Sequence, residues 1–530
     1  MNKKFLLFCS GVMLSTSLWA QTKTVTGKVT NASDGGTMPN VTVSIKGKSV
    51  STQTKPDGSF TINAEPGDIL IFRAVGSQER QQLVGTNATI NVALSGSEEA
   101  LEEVVVTAMG IKKEKRALGY AVQDIKSDEL MKNKTANVVN SLAGKIAGVN
   151  VTQASGSAGA GAQIILRGGT SLERDNQPLF VVDGVIYDNS TVIGGNSAFD
   201  GAQATATSNS NRVMDINPED IDNVSVLKGP AAAALYGSRA AAGAIIITTK
   251  KGQEGRTEIG FSSRFSNNWA NRLPEQQGKY KRGYYNSAGV LDDYTTQSWG
   301  EKFGSNDVVY NNVKDFFQHS TVFDNTVNLS GGNKNGSFYL SGSRFDQKGI
   351  VPNTSFDKTT FRFNGDQKFG KLTVGANVGY SLANTDKTLT SAGLWGSGGT
   401  GAMESLYSWS RSDDMKKYLN DDGTKYRMFE GRQPLESDIE NPYWTINKNI
   451  LGDNTERITG SINATMPIFD WWSLTYRVGM DSYLTKNSTV IGEGGAIKKP
   501  WQKGMMSESD FKYNYWSSNI MSNFNKKVGD

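Results

Sequence analysis

Long stretches in the second half of the chain alternate apolar and polar residues, and this pattern restricts the possible folds more than any other feature. The stretches 372–380, 458–466 and 472–481 each place apolar side chains at every second position. Successive side chains of a strand point to opposite faces, so the pattern predicts strands with one apolar and one polar face. Alternating segments of about ten residues are typical of transmembrane β-barrels, although a soluble sandwich is the alternative on periodicity alone.

Membrane-spanning helices are not indicated, so a membrane role would have to rest on strands. No run after the N-terminal segment approaches the ~20 apolar residues that a spanning helix needs. The 58 glycines and only 12 prolines favour many strands joined by tight turns. A net charge of +4, with no basic stripe carrying interleaved aromatic residues, argues against nucleic acid as a partner.

The first 20 residues have the layout of a secretory signal peptide. Two lysines precede the apolar run Phe5–Trp19, and cleavage after Ala20 would leave Gln21 as the first residue. An N-terminal core helix is the alternative. The one cysteine of the chain, Cys9, lies within this segment, so the mature chain is expected to have neither disulfides nor a thiol nucleophile.

Residues 22–96 predict an all-β domain, because short apolar strands are separated by turn signals such as Glu65-Pro66-Gly67-Asp68. Strands are predicted at 24–29, 41–46, 59–62, 69–74 and 89–93. The motifs are Val25-Thr26-Gly27-Lys28-Val29, Pro39-Asn40-Val41-Thr42-Val43, Asp57-Gly58-Ser59-Phe60 and Gly67-Asp68-Ile69-Leu70. They resemble the carboxypeptidase-regulatory-like domain, and the resemblance implies a β-sandwich without a peptidase site.

Residues 112–252 predict a mixed α/β unit. Apolar residues at helical spacing predict a helix over 127–147, and a second helix fits 230–236. Strands are predicted at 149–153, 163–167, 179–182, 223–228 and 244–249. The motifs, in chain order, are Gln163–Leu172, Gln177–Val185, Ile216–Ile221, Val226–Ala241 and Gly243–Lys250. In this order they resemble the plug domain of TonB-dependent receptors, in the form found in the SusC/RagA family.

The resemblance implies a mostly β receptor of the outer membrane, built of a β-sandwich, an α/β plug and a transmembrane antiparallel β-barrel. The predicted parts are a signal peptide (1–20), the sandwich (22–96), a linker (97–111), the plug (112–252) and a barrel portion (257–530). A complete barrel of this family has 22 strands. Residues 257–530 are therefore expected to be an incomplete barrel, as in the N-terminal portion of a longer chain.

A short apolar run lies in the predicted linker. Glu102-Glu103 precede Val104-Val105-Val106-Thr107-Ala108, and β-branched residues favour an extended backbone. An extended segment between two domains can add as a strand to the edge of another protein's sheet. In the family this position holds the TonB box, through which TonB and its inner-membrane energising complex pull on the plug.

Two further sets of residues are predicted to serve transport. Arg167 ends a plug strand and is predicted to pair with barrel-wall carboxylates as a gating residue, with a plain salt bridge as the alternative. The polar segments 271–319 and 384–454 are long enough to be functional loops. Aromatic residues of the second segment are predicted either to stack on sugar rings or to join the interfacial girdle; they are Trp395, Tyr407, Trp409, Tyr443 and Trp444.

No catalytic residue, metal site or cofactor is indicated, and we expect no enzyme. His319 is the only histidine, whereas a zinc site needs a cluster of ligands. The run Gly156–Gly161 lacks the Gly-Lys-Ser/Thr ending of a phosphate loop. Asp421-Asp422-Gly423 lacks the bidentate glutamate of a calcium loop. Both segments are better explained as turns.

The resemblance therefore implies TonB-dependent import of an oligosaccharide or a peptide across the outer membrane, beneath a SusD-like surface lipoprotein that acts as a lid. One alternative is a TonB-dependent siderophore or cobalamin receptor with a signalling role, but a signalling domain would have a different α/β pattern from 22–94. A passive adhesin or structural barrel in contact with outer-membrane lipid is a third possibility. Such a barrel would have no use for a TonB box.

Overall fold

A computed structural model describes residues 23–32, 35–48, 50–74, 77, 79–85, 87–94, 104–106, 112–114, 122–132, 134–135, 137–169, 176–191, 207–390, 401–431, 434–435, 438–496 and 502–525. The chain divides into two compact units with the boundary between Val104 and Val105. Among these residues, no helix is both long enough and apolar enough to cross a membrane.

The first unit is a β-sandwich, as predicted. Its strands are β1 (Lys23–Asn31), β2 (Thr42–Ile45), β3 (Ser51–Gln53), β4 (Ser59–Ala64), β5 (Ile69–Arg73), β6 (Arg80–Leu83) and β7 (Val92–Leu94). One sheet has the order β4-β1-β7 and the other β3-β2-β5-β6. Val25, Val29 and Ile62 are buried between them, and Phe60 meets Phe72 edge to face at 5.4 Å. Strand β6 was not predicted, because all four of its residues are exposed and none marks an inward face.

The α/β domain that was predicted as the plug, here called the plug, follows two short paired strands, β8 (Val104–Val106) and β9 (Lys112–Glu114). Its elements are β10 (Val122–Lys126), α1 (Ser127–Met131), α2 (Val138–Ser141), β11 (Val149–Gln153), β12 (Ala162–Leu166), β13 (Leu179–Val182), β14 (Val185–Tyr187), β15 (Ile221–Leu227), α3 (Pro230–Tyr236) and β16 (Ala244–Thr249). Five strands form a sheet in the order β10-β15-β16-β13-β14, and β11 pairs with β12. Most plug strands start or end within two residues of the prediction.

The predicted helix over 127–147 is wrong in extent, because the structure forms two short helices there, α1 and α2. The side chain of Asn137 accepts a hydrogen bond from the Val139 amide at 3.0 Å and so starts a new helix. Asparagine competes with the helix backbone in this way and favours caps over helix interiors. Lys134, between the two helices, is drawn into buried ion pairs. The apolar spacing correctly marked buried residues but not the break.

The remaining strands are β17 (Gly255–Asn268), β18 (Tyr284–Tyr285), β19 (Leu291–Asp292), β20 (Ser320–Asn333), β21 (Gly336–Lys348), β22 (Ser355–Phe369), β23 (Leu372–Lys387), β24 (Asn449–Phe469), β25 (Trp472–Ile491) and β26 (Met505–Phe524). All except β18 and β19 form one antiparallel sheet in sequence order, here called the barrel sheet. The alternation is confirmed: Phe361 and Phe363 are 55% and 42% exposed, whereas Arg362 between them is 7% exposed.

The two ends of the barrel sheet differ. At one end, tight turns join β20 to β21, β22 to β23 and β24 to β25. At the other end, long connections span 269–319, 388–448 and 492–504, and they contain α4 (Asn312–Phe316), α5 (Ala402–Ser408) and α6 (Pro442–Lys448). We call this second end the loop end. Barrels of the outer membrane carry short turns on the periplasmic side and long loops outside.

Candidate functional site

The plug lies against the polar face of the barrel sheet and is held there by buried charges. Among the cations of the sheet that reach the plug, three are almost fully buried: Lys358, Arg362 and Arg457 are each at most 7% exposed. Their partners on the plug are carboxylates and carbonyl oxygens of two short segments, 183–188 and 212–220. We call these three cations and their plug partners the anchor.

Arg457 makes the most contacts in the anchor. Its Nε and Nη2 atoms donate to both oxygens of Asp481 on the neighbouring strand at 2.8 and 2.7 Å. Its Nη1 atom donates to the carboxylate of Asp215 at 3.2 Å and to the carbonyl of Arg212 at 3.1 Å, and Nη2 also donates to the carbonyl of Asp188 at 3.0 Å. One guanidinium therefore binds the wall and three points of the plug.

Aromatic rings surround the same guanidinium. The Arg457 Cζ atom lies 3.3 Å from the ring centre of Tyr187 on the plug and 5.1 Å from that of Tyr483 on β25. The Tyr483 hydroxyl donates to the Asp188 carboxylate at 2.7 Å. A desolvated cation over an aromatic face gains about 2 kcal/mol. The arginine is thus fixed in orientation as well as in charge.

Lys358 binds the backbone of the same plug segment. Its Nζ atom donates to the carbonyls of Met214 at 2.6 Å and Ile216 at 2.9 Å. These two carbonyls flank Asp215, so Lys358 and Arg457 hold one short stretch of plug between them. Contacts with backbone carbonyls do not depend on the identity of the plug side chains. No sequence motif in the plug can therefore predict them.

Arg362 binds the ends of two plug strands. Its Nη1 atom lies 3.3 Å from the carboxylate of Asp183, which turns β13 into β14. Its Nε atom lies 3.9 Å from Asp220, which also accepts hydrogen bonds from the hydroxyls of Tyr339 at 3.0 Å and Ser341 at 2.5 Å. The barrel sheet therefore satisfies the buried Asp220 carboxylate from two directions.

Among the described ion pairs between plug and barrel sheet, only one has its cation on the plug and its carboxylate on the sheet. Lys134 lies 2.5 Å from Asp324 of the barrel sheet and 2.8 Å from Glu219 of the plug itself. Removing one partner of a buried pair costs about 3–5 kcal/mol, whereas the intact pair adds little net stability. The arrangement therefore fixes where the plug lies and can still separate once water reaches the charges.

Two protein-family models match the chain. The model described as TonB-dependent Receptor Plug Domain matches residues 114–244, and the CarboxypepD_reg-like domain model matches residues 25–106. The TonB-dependent receptor SusC of Bacteroides thetaiotaomicron is 34% identical over 386 residues, which cover 72% of this chain and 36% of SusC. The TonB-dependent receptor P3 of Formosa agariphila is 28% identical over 537 residues, covering 99% of this chain and 48% of the receptor.

The chain belongs to the SusC/RagA family of TonB-dependent receptors. Its fold is also similar to that of the RagAB peptide importer in the open-open state, with a TM-score of 0.59 and 20% identity over 80% of this chain and 47% of that chain. The chain spans between a third and a half of the length of the two curated relatives named above. Receptors of this family are β-barrel proteins of the outer membrane, and that location is assigned to this chain.

In this SusC/RagA receptor, the predicted TonB box lies partly within the described residues. Val104–Val106 form strand β8, which pairs with β9. Glu102, Glu103, Thr107 and Ala108 lie outside the described residues. The extended backbone of the three valines is the conformation that strand addition requires. Binding of TonB at 102–108 stays a prediction.

Arg167 lies elsewhere than expected. It is exposed and has a φ of 59°, just beyond β12. Its Nη1 atom lies beside Gly229 of the plug, and its charge adds to burial in lowering the pKa of Lys228. Among the described residues, no ion pair joins it to a barrel carboxylate. The predicted carboxylate partner of Arg167 is thus not found. In the anchor, the cations lie mainly on the barrel sheet and the carboxylates on the plug. Its gating role stays a prediction.

The predicted substrate aromatics separate into buried and exposed rings. Trp409 and Trp444 are 2% and 4% exposed, because they pack inside the connections at the loop end. Their faces cannot meet a substrate, so the stacking prediction is wrong for both. Tyr443 is partly buried and donates its hydroxyl to the Asp315 carbonyl at 3.3 Å. Tyr407 is 41% exposed, and for it stacking stays a prediction. Trp395 lies outside the described residues.

Trp409 belongs to a packed hydrophobic cluster at the loop end, and Lys425 lies 5.5 Å from the ring centre of Trp444. Glu440 accepts a hydrogen bond from the Ala496 amide at 2.7 Å and forms an ion pair with Lys425. Burial raises the pKa of Glu440, although Lys425 opposes the shift. The contact joins two long connections that are far apart in sequence. The loop end therefore has a core of its own.

Sequence analysis missed the anchor and an aromatic cluster at the opposite end. Phe469, Trp471, Trp472 and Phe524 stack around the turn between β24 and β25, as in interfacial girdles. The sequence could have predicted one residue of the anchor. Arg362 lies between two phenylalanines of an alternating strand, so its side chain is expected on the inward face. A charge on the inward face of a barrel strand needs a partner inside. Among the described residues, no group of three or more His, Cys, Asp or Glu side chains could hold a metal.

Proposed function

We propose that this receptor imports a nutrient, an oligosaccharide or a peptide, across the outer membrane with energy supplied through TonB. The observation that carries the proposal is the anchor, a set of buried but separable contacts between plug and barrel sheet. A passive pore has no need of a plug, and a purely structural barrel has no need of one that can separate. Import requires both occlusion and release.

The link to the energy source is proposed to be the segment 102–108. Its valines form the short strand β8, which pairs with β9 and precedes β10 in the chain, and β10 lies at the edge of the plug sheet. Pulling on an edge strand separates one row of hydrogen bonds rather than the whole sheet. The position of β8 before this edge strand supports a role in which TonB pulls on the plug from the periplasm.

The proposed partner at the loop end is a SusD-like surface lipoprotein. The resemblance to the family implies this lid, and the packed connections at the loop end would give it a stable surface to rest on. The solved relative is described as a peptide importer, RagAB. The relatives named SusC and P3 are described only as TonB-dependent receptors, so both substrate classes stay open at this level.

A siderophore or cobalamin receptor is the second candidate. The ferrienterobactin receptor of Escherichia coli is 32% identical, but over 196 residues that cover 36% of this chain and 23% of that receptor. The β-sandwich of the first unit does not have the α/β pattern expected of a signalling domain. Import of an oligosaccharide or a peptide therefore has the stronger support. The relatives named above are described as receptors or as an importer, and not as enzymes.

The test is Val105→Pro in the full-length receptor, assayed for labelled nutrient uptake and for nutrient binding to whole cells. Proline removes a backbone donor and does not fit inside a paired strand, so uptake should fall to the level of a strain without TonB. Val105→Ala keeps the backbone donor and should retain most uptake. Binding should be unchanged in both variants, because it occurs on the other side of the membrane. Normal uptake by the proline variant would contradict the proposal.

A further inference from the structure

Arg477 is a nearly buried cation of the barrel sheet that has no partner among the described residues. Its side chain lies on the inward face of β25 and is 9% exposed. Its Nη1 atom is buried without a hydrogen-bond partner, and none of the described ion pairs includes this residue. Buried charges are normally paired with an opposite charge or bound to an ion. An arginine without such a partner is therefore a candidate site for an anion.

The turn that joins β13 to β14 contacts two arginines of the barrel sheet but supplies a carboxylate to only one. Asp183 lies 3.3 Å from Nη1 of Arg362. It also accepts hydrogen bonds from the amide of Thr249 at 2.9 Å and from its hydroxyl at 2.6 Å. Gly184 lies so close to Arg477 that a Cβ atom there would collide with Nη1. The plug therefore covers the Arg477 guanidinium without neutralising it.

Arg477 borders a cavity of about 940 Å³ between the plug and the barrel sheet. The lining residues and their immediate neighbours in the chain all belong to the described part of the structure. The cavity lies opposite the loop end, because Thr373, Thr465 and Thr475 in its lining are close to the tight turns between strands. A polar cavity of this size holds water, so a small ion can reach the guanidinium.

The lining that comes from β23 to β26 contains Arg477 as its one charged residue. Most of the other lining residues on these strands carry amides or hydroxyls: Thr373, Asn377, Ser461, Asn463, Thr465, Thr475 and Asn523. The carboxylates of the cavity come from the plug, the segment 250–258 and β22, and three further cations lie in 250–258. Asn463 is directly opposite Arg477 in the antiparallel pairing, where Cβ atoms are about 4.5–5.5 Å apart. Its amide can donate to a ligand that Arg477 holds.

The shape of the guanidinium decides which kind of anion fits. Its planar fork donates parallel hydrogen bonds to two oxygens of one carboxylate or phosphate group. Chloride has no second acceptor atom for the fork. We propose that Arg477 binds a small oxyanion, a phosphate or a carboxylate, with the Asn463 amide as a second donor. The oxyanion lies beside the turn Asp183–Gly184, so it binds where plug and barrel sheet meet and stabilises the seated plug. This inference goes beyond the proposed import function and does not depend on it.

The experiment measures binding of inorganic phosphate and of acetate to the full-length receptor, purified in detergent in Tris buffer, with potassium chloride keeping the ionic strength constant. The variant is Arg477→Gln. The control is Arg256→Gln, because Arg256 lines the same cavity but is exposed. The wild type and the control should bind at least one of the two anions, and Arg477→Gln should bind it at least tenfold more weakly. The stronger of the two anions identifies the source of the oxyanion group.

Thermal unfolding of the same proteins separates a ligand site from a structural role. Without an oxyanion, Arg477→Gln should unfold at or above the wild-type temperature, because it removes a buried charge that has no partner. With the bound anion in excess, the wild type and the control should unfold at a higher temperature, whereas Arg477→Gln should not. Asn463→Ala should weaken binding about threefold, and unchanged binding would exclude the second donor.

Three results would overturn the inference. The first is that the wild type binds neither phosphate nor acetate, and the second is that Arg477→Gln binds them as the wild type does. The third is a lower unfolding temperature of Arg477→Gln in the absence of an oxyanion, because Arg477 would then have a partner within the receptor itself. The purified receptor needs no TonB, so all of these outcomes are independent of the Val105→Pro test.

Discussion

Arg457 joins two buried carboxylates, one on the wall and one on the plug. Its guanidinium is 1% exposed, so neither charge can be compensated by water while the plug is in place. Arginine suits this position because its planar fork can donate to several acceptors at fixed angles. A lysine would supply the charge without the fork, as Lys358 does nearby.

Arg457→Met in the full-length receptor should therefore loosen the plug. The change leaves the buried Asp481 without its ion-pair partner and leaves Asp215 with Arg212 alone at 3.7 Å, which should destabilise the seated plug by about 3–5 kcal/mol. Protease sensitivity of the plug in the purified receptor measures the effect. The matched control is Arg344→Met, because Arg344 is also a barrel-sheet arginine but its ion pairs are half exposed. That change should cost at most about 1 kcal/mol. Equal effects would refute the anchor.

At the residue scale, the sequence did not predict which side chains carry the charges between plug and barrel sheet. It placed the cation on the plug at Arg167, whereas the structure places most anchor cations on the barrel sheet. The pairing of two charges far apart in sequence depends on how the plug docks, which no local pattern records. Trp409 was misjudged for the same reason, because loop residues show no periodicity that separates buried from exposed.

At the scale of elements, the junction between plug and barrel sheet is set by one close approach. Gly252 lies between β16 and β17, and a Cβ atom there would be 2.3 Å from the Phe338 carbonyl oxygen and 2.5 Å from that of Gly331. Both are backbone atoms of paired strands, so they cannot move aside as a flexible side chain would. A side chain at this position would therefore collide with backbone where the chain passes from the plug to the first strand of the sheet.

Gly252→Ala should therefore displace the junction, at a cost of about 1–3 kcal/mol typical of overpacking. Thermal unfolding of the full-length receptor measures it. Gly156→Ala in the plug is the matched control, since a Cβ atom there meets nothing within 4 Å. We expect the control to unfold at the wild-type temperature. If Gly252→Ala unfolds at the wild-type temperature, the neighbouring strands can shift to make room for the Cβ atom, and the prediction is wrong.

Elements whose two faces differ were the easiest to predict. The strand at 179–182 was predicted with its observed limits, and the alternation at 472–481 correctly separated outward from inward residues. The short strands β3 and β6 were missed, because an edge strand that buries little carries little pattern. The helix at 127–147 was overextended, because apolar spacing continues across the break at Asn137.

At the scale of the whole molecule, the chain must reach the outer membrane before any of these parts can act. Sequence analysis assigns residues 1–20 to a signal peptide, and family membership places the receptor in the outer membrane. N-terminal sequencing of receptor purified from outer membranes should start close to Gln21. A mature protein that retains Met1 would contradict the signal assignment.

The fixed charges of the anchor remain on the wall when the plug moves. Lys358, Arg362 and their neighbour Arg477 on β25 form no ion pair with a wall carboxylate among the described residues. Asp324 would lose its plug partner Lys134, so an emptied lumen would keep a net excess of cations on this part of the wall. Such a lumen should pass chloride more readily than potassium. Reversal potentials of a plug-deleted receptor in a salt gradient would reveal this preference, and Arg362→Gln should reduce it. Cation selectivity would instead mean that acidic residues elsewhere on the wall prevail.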